Sequence, residues 1–67
     1  MMTDEMVKAY RKAFDMGHAA YKELGADCLA SDYPEFVELC NTSHINAGRL
    51  LRAFNDGCDE AATEVMP

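Results

Sequence analysis

Cys40 and His44 stand four residues apart, a spacing that puts two metal ligands on one face of a helix. Cys28, Cys58 and His18 could complete a zinc set around them. Against this, the polar run Asn41-Thr42-Ser43 interrupts any helix between the pair, and the chain has no C-x-x-C knuckle. We therefore expect no metal and no cofactor. The same Cys-His pair could supply a nucleophile and its base, but no third residue is placed to orient the histidine and no oxyanion device is suggested. Three cysteines at irregular spacing fit no disulfide framework, and they read as small buried hydrophobes in a reducing compartment.

Carboxylates are the other chemical resource. Asp56, Asp59, Glu60 and Glu64 fall on neighbouring ridges of one predicted helix. Like charges at that spacing repel, and carboxylates near a helix C-terminus oppose its dipole. An exposed ridge offers nothing to raise a pKa for acid-base work. Two accounts of it compete. The basic first half of helix 1 (Lys8, Arg11, Lys12) could lie beside the ridge, which requires helices 1 and 3 to run antiparallel. Alternatively the ridge docks a basic partner. Glu35 and Glu38, with Asp27 and Asp32, form a second acidic region, and Tyr33 at the entry to helix 2 is either an interface anchor or locally packed. The expected partner-binding residues are Asp56, Asp59, Glu60, Glu64, Tyr33, Glu35 and Glu38.

The elements that carry these residues are helical. Thr3 is a suitable N-cap, and Asp4 and Glu5 follow in the first turn. Val7, Tyr10, Phe14, Gly17, Tyr21 and Leu24 recur at steps of three and four, a heptad-like stripe that Gly25 ends. Helix 1 is predicted over about 4–24. Ser31 or Asp32 should cap a short helix over about 33–40, with Pro34 in its first turn and Phe36, Val37 and Cys40 facing inward. The polar break at 41–43 then offers caps for helix 3, over about 44–65. Its stripe is Ala47, Leu51, Phe54, Cys58, Ala61 and Val65, widened by Leu50 and Gly57. No segment alternates as a strand does.

One phrase occurs twice. Lys12–Gly17 reads KAFDMG and Arg52–Gly57 reads RAFNDG. Each glycine sits three residues after a phenylalanine, on the same helix face. Glycine inside a helix costs about 1 kcal/mol relative to alanine. Two of them suggest a packing device of approximate two-fold character, at which the long helices approach closely and the Phe of one lies over the Gly of the other.

The whole is one all-α domain, 1–67, a small helical bundle completed by dimerisation, because a chain this short makes a thin core. A net charge of −6 disfavours direct nucleic-acid binding and anionic membranes, and no apolar run is long enough to span a bilayer. The N-terminus lacks a signal-peptide core, so a cytoplasmic protein is expected. The expected function is a non-enzymatic, acidic protein-interaction module. It would be an inhibitor or regulator of a host or partner protein with a basic or mixed surface, of the kind a phage would use, working as a homodimer. The alternative is an acidic nucleic-acid mimic that blocks a DNA- or RNA-binding enzyme.

Overall fold

A computed structural model describes residues 3–25 and 29–65, with the last of these described by its backbone only. Three α-helices account for most of them: α1 (Asp4–Leu24), α2 (Pro34–Thr42) and α3 (Ala47–Val65). A single 3-10 turn, Ala30–Asp32, precedes α2, and no strand occurs among the described residues. The fold is a small all-α one.

The boundaries have local causes. The Thr3 hydroxyl accepts the Met6 amide at 3.2 Å, capping α1. Gly25 ends it with φ at 69°, a conformation that favours glycine, while its N–H bonds to the Tyr21 carbonyl. The start of α2 differs from expectation. Ser31 and Asp32 belong to the 3-10 turn, and the N-cap position is Tyr33, which makes no side-chain cap. Pro34 at the first helical position suits a helix start, because its missing N–H would have no intrahelical partner there and its fixed φ is already helical. Asn41 and Thr42 do not break the chain; they finish α2, where the Thr42 hydroxyl donates to the Glu38 carbonyl. Helix 3 begins at Ala47 rather than 44, because Asn46 is its cap: the Asn46 side-chain oxygen accepts the Gly48 amide at 2.7 Å.

The long helices run parallel. Thr3 and Met6, at the start of α1, line a cleft with Ile45 and Asn46 at the start of α3. Midway, Gly17 meets Phe54 and Gly57 meets Phe14. Beyond them His18 pairs with Glu64. The chain therefore goes up α1, down α2 and up α3. The antiparallel account of the acidic ridge is thereby overturned: the basic half of α1 lies beside the basic start of α3, and charge attraction between the long helices is not what compensates the ridge.

The two glycines are the point of closest approach, and the contact is reciprocal. A Cβ on Gly17 would overlap the Phe54 carbonyl oxygen and lie 2.7 Å from its carbon. A Cβ on Gly57 would overlap the Phe14 carbonyl oxygen and lie 2.9 Å from its carbon. Backbone therefore rests on backbone; the notch receives a carbonyl, not a phenyl ring. The Cys58 thiol adds a hydrogen bond across the junction to the Gly17 carbonyl, at 3.4 Å.

The core lies on one side of this pair, beneath α2. Phe54 and Leu50 are its largest fully buried side chains, joined by Phe36, Ala9, Ala13 and Ala20. Phe36 tilts against Phe54 with ring centroids 4.9 Å apart, and Tyr33 meets the same ring edge-on at 6.0 Å. This core differs from the predicted stripes. On α1 the buried ridge is Ala9, Ala13, Gly17 and Ala20, whereas Val7 and Leu24 are exposed. On α3 it is Leu50, not Leu51, that faces inward, and on α2 Val37 faces outward. Close backbone packing explains the shift, since small side chains must line a contact this tight and the larger ones are displaced to its flanks.

Candidate interaction surface

The potential metal ligands among the described residues do not assemble. Cys40 is half-buried on α2 against the core, and His44 is exposed in the bend that follows. Among the described residues no three His, Cys, Asp or Glu side chains converge; Cys28 lies outside them. Burial pushes the Cys40 thiol above its ordinary pKa, which keeps it protonated and a poor nucleophile. His18 is half-buried beside the notch and pairs with Glu64 on α3. That hydrogen bond holds the Glu64 carboxyl below the usual glutamate value, against a smaller upward push from desolvation and with help from the charge on Lys22. No polar or charged residue among those described is fully buried.

What the fold does assemble is a two-sided slab. The face of α1–α3 opposite α2 carries an open groove of about 820 Å³. Val7, Tyr10 and Phe14 of α1 and Ala53 of α3 give it an apolar floor. Phe14 is half-buried and stands outside the core cluster. Arg11, Arg49 and Arg52, every arginine in the chain, line the same groove, together with Asp15 and Asp56. Both acidic residues follow an arginine by four positions, yet neither pair closes into an ion pair; His18–Glu64 is the one formed among the described residues. Arginine N-terminal to a carboxylate is the weaker order for such a pair on a helix.

The seven predicted contact residues separate into groups. Asp56, Asp59 and Glu60 are exposed on α3, with Asp56 at the groove and Glu60 one turn beyond it on the same ridge. Glu64 is exposed but engaged with His18. Glu35 and Glu38 are exposed on α2, on the far side of the slab. Tyr33 is half-buried with its ring held against Phe54, which is the local-packing alternative. The arginine-lined groove was missed from the sequence. The signal was present, since the groove's α1 residues are the first half of the heptad-like stripe, but that stripe was assigned to the core.

No protein-family model matches this chain, and no curated protein or solved structure matches it in sequence or fold.

Proposed function

We propose that this chain is a non-enzymatic, acidic protein-interaction module, an inhibitor or regulator that acts as a homodimer in the cytoplasm. The observation that carries this reading is the set of exposed carboxylates, Glu35 and Glu38 on α2 and Asp56, Asp59 and Glu60 on α3, which have no ion-pair partner among the described residues. Their charge is left for basic groups outside the chain. Among the described residues no helix is long and apolar enough to cross a membrane.

The test is affinity capture from lysate of the native host with the wild-type chain and with two neutralised forms, Glu35→Gln/Glu38→Gln and Asp56→Asn/Asp59→Asn/Glu60→Gln. A protein with a basic or mixed surface should be retained by the wild type and weakened by roughly tenfold when the contacting cluster is neutralised, the size expected for losing two charge-assisted contacts. Retention of nothing, or of a partner indifferent to both variants, would remove the reading. Nucleic-acid mimicry is the competing outcome, signalled by capture of a DNA- or RNA-binding enzyme with a steep dependence on salt. The carboxylates occupy two opposite faces and arginines interrupt one of them, which gives that alternative no continuous strand of charge.

A further inference from the structure

We infer that the groove face of α1–α3 is the homodimer interface, filled by a second copy of the chain packed antiparallel across it. This rests on the interaction-module reading and names the basic partner of the α3 carboxylates: the arginines of the other copy.

Three observations converge. First, the large residues of the heptad-like stripe of α1 are incompletely covered in the monomer, although Tyr10 borders the core and Gly17 forms the notch. Val7 and Leu24 are 49% and 54% exposed, and Tyr10, Phe14 and Tyr21 are only half-buried. A stripe of large apolar residues at three-four spacing is what one helix offers another.

Second, the face is electrically bipolar. Arg11, Arg49 and Arg52 occupy its N-terminal half, and Asp15, Asp56, Asp59 and Glu60 lie C-terminal to them. A two-fold interface brings residue i against j and j against i. With the axis lying across the helices at the level of Phe14, α1 meets α1 and α3 meets α3, each pair antiparallel. Counting outward from Phe14 and Phe54, Val7 stands opposite Tyr21, Arg52 opposite Asp56 and Arg49 opposite Asp59 with Glu60 beside it, while Arg11 comes opposite Gly17, two residues from Asp15. The charges match at this level on α3 and come within two residues of matching on α1, because α1 and α3 are parallel and in register at the notches. An axis running along the helices would instead stack arginine on arginine.

Third, the opposite face already shows what such a trough does. There α2 covers Phe54 as the second copy would cover Phe14. Dimerisation through the groove leaves Glu35 and Glu38 outward on both copies, available to a further protein.

Sedimentation equilibrium of the intact chain at micromolar concentration tests this. The expected mass is twice the 7.4 kDa of one chain. Arg52→Asp and Asp56→Arg should each weaken association by at least about tenfold, as opposed charges become like charges across the axis. The double variant Arg52→Asp/Asp56→Arg should restore it. Arg11→Asp and Asp15→Arg form an independent second set on α1, and circular dichroism checks that each variant is folded. A wild type that sediments at 7.4 kDa would overturn the proposal, as would a dimer insensitive to single reversals or swaps that fail to rescue. A monomer that still captures a partner sinks only the dimer. A dimer that captures nothing leaves this interface standing and removes the proposed function.

Discussion

On one face of the α1–α3 pair, Phe54 lies beneath α2 with 1% of its surface exposed; on the other, Phe14 floors an open groove. The two phenylalanines occupy equivalent places in the repeated hexapeptide, and each presents its carbonyl to the glycine of the other helix. The backbone therefore treats the faces alike, and side chains distinguish them. Matching positions across the repeat sets Leu50 against Tyr10, Ala9 against Arg49 and Lys12 against Arg52, the first of each pair lying on or bordering the covered side. A phenyl ring such as Phe36 can enter a trough made by Leu50, Phe54 and two alanines. To settle in the other trough, α2 would have to desolvate guanidinium groups without supplying each a partner. The comparison shows how one close helix contact can yield a covered core on one side and an open, charged groove on the other.

Phe54→Ala should give the largest break in this comparison. Loss of a fully buried phenyl is expected to destabilise the fold by roughly 3–5 kcal/mol, and Phe14→Ala by about a third of that. Chemical denaturation of both variants checks it; equal losses would mean that the faces are equally buried in solution. Next come Gly17→Ala and Gly57→Ala. Each recovers about 1 kcal/mol of helix propensity. Each also drives a methyl into a backbone carbonyl that cannot turn aside, for a net destabilisation of about 1–3 kcal/mol. The two losses should match, and a marked inequality in denaturation midpoints would break the reciprocity of the notches.

Asn46→Ala should cost about 1 kcal/mol through loss of the α3 cap. It tests both faces together, since α3 contributes to each. The smallest effect is expected from Glu64. Its carboxyl is lowered by the His18 hydrogen bond, so the stabilisation it brings is fully present above the ordinary glutamate range. That stabilisation disappears as pH falls through the lowered value. Melting curves of Glu64→Gln should accordingly fall below wild type near neutrality and merge with it in acid; a constant offset would assign the contact no electrostatic part.

Helix existence was legible because three-four periodicity, Thr3, Pro34 and Gly25 act through neighbours in sequence. The α1 boundaries came out as expected. The α3 start did not, because 41–46 contains several residues able to cap, and Asn46 is selected only when α2 has used Asn41 and Thr42. Close approach at Gly17 and Gly57 was likewise legible, since an interior helical glycine asks for a reason. That a carbonyl rather than a ring fills each notch was not. The exposure of Asp56, Asp59 and Glu60 was legible, whereas the groove that gathers all the arginines was not.

Side-chain order along the chain was enough to determine three helices, a shared glycine notch and an excess of carboxylates, because each depends on the periodicity and chemistry of local residues. Tertiary structure alone decided that α1 and α3 run parallel, that alanines rather than the large residues of α1 face the core, and that α2 chooses the Phe54 side. Those outcomes depend on how closely two backbones can approach and on which trough can be dried without stranding a charge, and neither quantity exists until the helices meet.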